Sequence, residues 1–317
     1  MNRENVKKIG IIGTGMIGTS LAALTAGHGI DTVMLAVNED LRAASQKQFD
    51  SFYADLVAQK LINNAQAANC AKNLSYTLAY NELADCDLIF ECVVERLEVK
   101  HEVYTQIEAT CSKVRAICSV SSAFVVDDLA SEMTVYKDRV IVTHPFNPPH
   151  LVPYFELAVG SATNPDVLSF AMTVLEDLDR KPVALKKSAP GFIGNRLQFA
   201  LWREALNIVD SGIADPADVD TCLMYSFCPR YTSIGMFEHF DNGGLDLNYN
   251  VCKTIFPTLN NVQEVPESVA TRVASGDLGL KTGKGFYDWS QKDISDFHTR
   301  VSDPYWRFFN WEVPEEE

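Results

Sequence analysis

Near its start the chain reads IGIIGTGMIGTS, an apolar run interrupted by Gly13, Gly15 and Gly18 before a helix-like stretch of small residues. Few local patterns restrict a fold so strongly. Placed between a strand and a helix, the first glycine makes a tight turn and the second lets backbone approach a phosphate. The third lets the helix lie close on its strand. The helix then opens towards whatever the loop holds, with its first N–H groups and the positive end of its dipole exposed to an anion. The pattern predicts a βαβ unit that cradles a dinucleotide, with Gly13, Gly15 and Gly18 as the cradle and Met16 and Ile17 lining it. A merely structural turn is the alternative.

A second apolar run, DTVMLAV, follows at the distance expected for the next parallel strand. Dinucleotide folds usually end this strand on a carboxylate that binds the adenosine ribose. Here Val37 and Asn38 stand at that place, and Glu39 comes one residue late. Asn38 is expected to take over the ribose contact. An uncharged residue also weakens repulsion of a 2′-phosphate, but Arg42 lies further into the following helix. NAD is therefore the expected cofactor, with NADP left open.

Strand-like runs recur at DLIFECVV, RAICSVS, RVIVTH, LVPYFELAV and KPVALKK, with helical periodicity between them, as over residues 97–109 and 164–179. Residues 41–61 carry apolar side chains at three-to-four spacing and predict one long amphipathic helix. Strand–helix alternation with apolar strands predicts an α/β fold, a Rossmann-type, doubly wound and mostly parallel sheet. Past KKSAPGF the texture becomes helical. The expected boundary lies at Ser188, giving a nucleotide-binding domain over 1–188 and an all-helical domain over 189–317. FIGNRLQFALWREALNIVDSG is apolar on two faces, Ile193, Leu197, Leu201 and Ile208 on one, Phe199, Trp202 and Leu206 on another. Such a helix needs cover on both sides, and a second copy of the chain is the expected source, making a homodimer. Asp215 and Pro216 predict the start of the next helix. The acidic end EVPEEE reads as a frayed tail.

Charge narrows the partners. With 27 basic against 42 acidic residues the net charge is −15, which argues against nucleic acid and against anionic membrane. Eight cysteines are scattered without C-x-x-C or zinc spacing, no metal site is expected, and neither a signal peptide nor a membrane span is read. A reducing cytoplasm is the expected compartment.

Chemistry concentrates in HPFNPPHLVPYFE, residues 144–156. Four prolines stiffen the path from His144 to Glu156, where a core strand would avoid them. His144 follows the strand RVIVT, so it emerges at the carboxyl edge of the sheet, where open α/β folds bind ligands. A neutral imidazole suits removal of a hydroxyl proton during hydride transfer, and a carboxylate can set its tautomer and balance its charge. Read alone, the pair also fits a satisfied strand-end histidine and an exposed glutamate.

GTGMIG, ECVVERLEVKHEVY, SVSSA, HPFNPPHLVPYFEL, PGFIGNRL and LGLKTGKGFYDW, in that order, resemble the 3-hydroxyacyl-CoA dehydrogenase superfamily over nearly the whole chain. The resemblance implies an NAD-dependent oxidoreductase acting on a 3-hydroxy acid or 3-hydroxyacyl-CoA. It places the catalytic dyad on His144 and Glu156 and the substrate-hydroxyl serine on Ser121. Asn147 would help hold the site, and Asn195 would meet the substrate oxygen. Glu95 and Lys100 fall on cofactor-side positions, with Cys92 and Val93 lining that wall. Where relatives carry an asparagine before the serine pair, this chain has Ser119. The proline pattern after His144 looks more like the branch of lambda-crystallin and L-gulonate 3-dehydrogenase, whose substrates are free acids. Arg230 is a candidate clamp for a carboxylate, and a structural arginine fits equally. Two other readings stand beside this one: a catalytically silent structural or cofactor-sensing relative, and a lysine-dependent β-hydroxyacid dehydrogenase. The helix GFIGNRLQFA lacks the lysine the latter requires.

Overall fold

A computed structural model describes residues 6–309. The chain packs as two compact units, residues Ile193–Thr299 forming one and the remainder, including the chain from Arg300 on, the other. The acidic end over residues 312–317 lies outside the described residues.

The first unit is an eight-stranded sheet of β1 (Lys8–Ile12), β2 (Asp31–Leu35), β3 (Leu74–Thr77), β4 (Leu88–Glu91), β5 (Ala116–Ser119), β6 (Val140–Pro145), β7 (Tyr154–Ala158) and β8 (Lys181–Ala184). Its order is β3-β2-β1-β4-β5-β6-β7-β8. Every neighbouring pair is parallel except β6 with β7. The predicted mostly parallel, doubly wound sheet is therefore present. Helices α1 (Met16–Gly27), α2 (Glu39–Ala58), α3 (Asn64–Ala71), α4 (Leu97–Thr110), α5 (Val126–Leu129) and α6 (Pro165–Asp177) accompany it. Central strands such as LIFE in β4 and AICS in β5 are buried along their whole length, as a sheet covered on both faces requires.

The long helix expected over 41–61 is α2, which ends at Ala58, and the reciprocal cap of Asn63 and Gln66 then starts the separate helix α3. Strand β3, reading LSYT, was not anticipated; it is a four-residue edge strand with only partly buried side chains, too short to show alternation.

Helix α1 is buried from Gly18 to Gly27, and its small side chains allow that close approach to the sheet. It also buries Thr19 and Ser20. The Ser20 hydroxyl accepts the backbone N–H of His150 at 3.0 Å and lies 2.7 Å from His150 Nδ1. A hydroxyl can accept the backbone N–H and still bond the ring nitrogen in either tautomer, so Ser20 serves both groups of His150. The ring also stacks on Phe52, centroids 4.2 Å apart. This contact pins the proline-rich loop to α1, and nothing in the sequence reading singled His150 out.

Burial, assisted by the Arg180 charge, pushes the His150 pKa from 6.5 down to about 3. The unfolded chain thus binds this proton first, so the contribution is complete above pH 6.5 and is lost as pH falls towards 3. By pH 4.5 the loss is about 3 kcal/mol. His28, also buried, is shifted in the same direction. Urea melts between pH 7.5 and 4.5 should show this acid limb, flattened in His150→Gln, which keeps a partner for Ser20 without a titrating ring. An equally steep limb in that variant assigns the acid sensitivity elsewhere.

The second unit is helical: α7 (Gly194–Asp210), α8 (Pro216–Tyr225), α9 (Met236–Gly243), α10 (Leu245–Ile255), α11 (Glu267–Ser275) and the first part of α12 (Ile294–Trp306). Asp215 and Pro216 start α8 as expected, with Asp218 completing the cap. Among the described residues of this unit, Leu206 is the one buried apolar side chain.

Candidate active site

Strand register aligns the chemistry. Leu35, Ile12, Glu91, Ser119 and Val142 pair in succession across β2, β1, β4, β5 and β6. Whatever follows these residues leaves the sheet at one edge. The glycine loop begins at Gly13, the segment expected to wall the cofactor at Cys92, and Ser121 and His144 each come two residues past that row. The crevice outside β1 and β4, where the strand order reverses direction, is the ligand position in such sheets.

Each glycine of the loop has its own reason. A Cβ on Gly13, at φ +113°, would sit 2.5 Å from the Cys92 carbonyl oxygen, and one on Gly18 would sit 2.1 Å from that of Gly13. Neither position tolerates a side chain. Gly15 is different, because a Cβ there would meet nothing within 4 Å. It stands at the N-terminus of α1 with no side chain capping the helix, so backbone N–H groups face open space. Close packing at Gly13 and Gly18 with openness at Gly15 fits a pyrophosphate. Met16 is exposed and Ile17 half-buried beside it.

Asn38 caps α2, its side chain accepting the Leu41 N–H at 2.9 Å. One lone pair of its carbonyl oxygen is used in this cap, and the amide NH2 is not part of it. Val37 is 82% exposed next to it.

Behind Cys92 and Val93 lies a buried polar cluster centred on Glu91, which is fully buried. Lys100 Nζ reaches both its carboxylate oxygens at 2.9 and 3.0 Å. Tyr104 donates at 2.9 Å, Ser119 at 2.7 Å and the Val93 N–H at 3.0 Å. Lys100 and Tyr104 reach it together because they are four apart on α4, on one face. The Lys100 ammonium, itself fully buried, also pairs with Glu95 at 3.2 Å. Glu95 in turn accepts the Ser121 hydroxyl at 2.5 Å and the N–H groups of Ser122 and Ala123, both at 3.1 Å. Burial alone would raise the Glu95 pKa, but the Ser121 hydroxyl and Lys100 outweigh it and hold the carboxyl below its ordinary value. Lys100 thus meets the cleft through Glu95 rather than directly. The sequence reading passed over Glu91; its one signal is an acid inside the otherwise apolar strand run DLIFECVV.

His144 and Glu156 are a directly opposed cross-strand pair of β6 and β7. His144 Nδ1 lies 3.2 Å from Glu156 Oε2, and the Tyr154 hydroxyl donates to Glu156 Oε1 at 3.2 Å. Glu156 is fully buried and His144 is 8% exposed, ringed by Phe146 and Phe192 at centroid distances of 5.7 and 5.5 Å. A carboxylate accepts only, so Nδ1 carries the proton and Nε2 keeps the basic lone pair. The proline-rich loop is less directly responsible than expected. Antiparallel register itself sets the separation, and Asn147 lies exposed within the loop.

Asn195 is half-buried in the first turn of α7, and Arg230 is exposed between α8 and α9. Both belong to the second unit.

Comparison with known proteins agrees with this geometry. Residues 8–188 match the family model described as "3-hydroxyacyl-CoA dehydrogenase, NAD binding domain", and residues 191–289 match "3-hydroxyacyl-CoA dehydrogenase, C-terminal domain". The chain is 28% identical over 286 residues to 5-formyl-3-hydroxy-2-methylpyridine 4-carboxylate 5-dehydrogenase of Mesorhizobium japonicum, covering 89% of this chain and 90% of that one. It is 31% identical over 240 residues to L-carnitine dehydrogenase of Pseudomonas syringae, covering 75% and 74%. A crystal structure of the pyridine-carboxylate enzyme, described as an NAD+-dependent dismutase, superposes with a TM-score of 0.86 at 25% identity, over 95% of this chain and 96% of that one. For the (S)-3-hydroxybutyryl-CoA dehydrogenase of Ralstonia eutropha the TM-score is 0.74 at 25% identity, over 90% and 100%.

Proposed function

The chain belongs to the 3-hydroxyacyl-CoA dehydrogenase family, and from that premise we propose that it interconverts the 3-hydroxyl of a small free 3-hydroxy acid and the corresponding ketone with NAD. The observation that carries this reading is the His144–Glu156 pair at 3.2 Å, set just past the sheet row from which the glycine loop also departs. Bound NAD supplies the hydride acceptor. His144 Nε2 takes the hydroxyl proton as hydride leaves carbon, while Glu156 holds the ring and balances the imidazolium. In the reverse direction the imidazolium is the acid. Ser121, fixed on Glu95, positions the substrate oxygen, with Asn147 ordering the loop. Gly13, Gly15, Met16, Ile17 and Gly18 would hold the pyrophosphate, and Cys92, Val93 and Glu95 would form the nicotinamide wall.

A free acid is preferred over a CoA thioester, in keeping with the L-gulonate 3-dehydrogenase-like branch. Two relatives described above are named for free small molecules. The segment of α2 and α3 also offers little to a 3′-phosphate, since Arg42 is paired with Glu39 at 2.5 Å. A panel of free 3-hydroxy acids and their CoA thioesters, followed by NADH absorbance, tests the reading. Turnover on thioesters alone reverses the substrate preference, and bound NADH without turnover on any substrate points to a silent relative.

We place the chain in a homodimer through its helical unit. In residues 193–299 only Leu206 is buried, whereas Leu197, Phe199, Trp202, Phe237, Tyr249 and Phe256 are between 43% and 88% exposed. Apolar surface on that scale marks an interface. Sedimentation at micromolar concentration should give twice the 35.2 kDa chain mass; a single-chain mass removes the proposal. Among the described residues no helix is long and apolar enough to cross a membrane, and the eight free cysteines support a reducing cytoplasm.

A further inference from the structure

We infer that this enzyme lacks the device by which dinucleotide-binding sheets reject a 2′-phosphate, and that Val37 is the residue responsible, so NAD and NADP bind with comparable affinity. The inference concerns the adenosine end of the site and rests on the dinucleotide assignment, not on the proposed reaction.

The geometry fixes which residue matters. Leu35 ends β2 level with Ile12 of β1, and its carbonyl accepts the Gly13 N–H at 3.2 Å, tying the strand end to the glycine loop. Ala36 follows, buried, with its N–H on the Thr77 carbonyl at 2.9 Å. Val37 is the first residue whose side chain leaves this packing, at 82% exposure. It lies 19 residues past Gly18, the spacing at which a carboxylate ordinarily meets the ribose hydroxyls. An isopropyl group supplies neither an acceptor for the 2′-hydroxyl nor a charge against a phosphate.

The neighbours do not replace it. Asn38 is uncharged and is anchored by its carbonyl oxygen to the Leu41 N–H, and its NH2 can donate equally to a hydroxyl or a phosphate oxygen. Glu39 is joined to Arg42 by a contact of 2.5 Å between Oε2 and Nε. That pairing blunts both the anion that would repel a phosphate and the cation that would attract one. Neither nucleotide is therefore selected strongly.

The test is equilibrium binding, read by the fluorescence of NADH and NADPH on titration with the full-length protein. The wild-type Kd values should lie within about tenfold of each other, since no charged hydrogen bond separates them. Val37→Asp should tighten NADH and weaken NADPH, widening the ratio by about 30-fold or more. Val37→Asn, which adds hydrogen-bonding capacity without charge, should leave NADPH binding within about threefold of wild type. A wild-type ratio above tenfold, or a ratio unmoved in Val37→Asp, overturns the inference. Because binding is the readout, a protein inert towards every hydroxy acid but holding both nucleotides alike upholds it.

Discussion

Exchanging His144 for glutamine is expected to lower kcat by about three orders of magnitude, the scale of a lost general base, while NADH binds as in the wild type. Glutamine spans a similar length and its amide can still donate towards Glu156, so the cross-strand pair of β6 and β7 keeps its polar partner. It has no lone pair basic enough to take a hydroxyl proton. The glycine loop stems from β1, separated from β6 by two strands in the sheet order β1-β4-β5-β6, which is why nucleotide affinity should survive. Glu156→Gln should fall between the two. The imidazole remains, but its tautomer is no longer dictated by an obligate acceptor, and the imidazolium loses a buried counter-charge. Steady-state turnover together with NADH fluorescence titration checks all three proteins. If His144→Gln turns over at more than a tenth of the wild-type rate, another group carries the proton and the dyad is structural.

What the sequence could reveal divides along a physical line. The glycine loop is legible because two of its glycines have no steric alternative and the third must be bare. The His144–Glu156 contact is legible for a different reason, a histidine at a strand end with an acid on the next run, although the register that sets them opposite each other is a property of the paired strands. The proline-rich spacer drew attention to the right segment while suggesting too strong a part for the prolines. Glu91 was passed over because its role depends on two other elements converging on it, α4 with Lys100 and Tyr104 and β5 with Ser119. A one-dimensional pattern cannot show that convergence. His150 escaped for the same reason, since its partner Ser20 is 130 residues away. Asn38 was read as a ribose ligand on position alone, and only the start of α2 shows that its oxygen has a local use.

The Glu91–Lys100 pair carries the second large expected effect. Both side chains are fully buried, and an ion pair in that position is costly to break because each charge would stand alone in a medium that cannot solvate it. Glu91→Ala removes the acceptor of four donors at once and leaves the Lys100 ammonium with Glu95 alone. A loss of about 3–5 kcal/mol follows, a fall in Tm on the order of 10 °C. Lys100→Met should cost less, since the carboxylate left behind keeps the hydroxyls of Tyr104 and Ser119 and the Val93 N–H. Neutralising both groups in Glu91→Gln/Lys100→Met should recover most of the stability, because an uncharged pair of similar size has no desolvation penalty to offset. Activity should not recover with it. Glu95 would have lost its ammonium partner, and with it the anchor that holds Ser121, so kcat/KM should stay about tenfold below wild type. Thermal melts separate the packing role from the positioning role when set beside turnover of the same samples. A double variant that regains both stability and rate assigns the cluster to folding alone, and a Glu91→Ala protein as stable as wild type removes the buried pair from the account altogether.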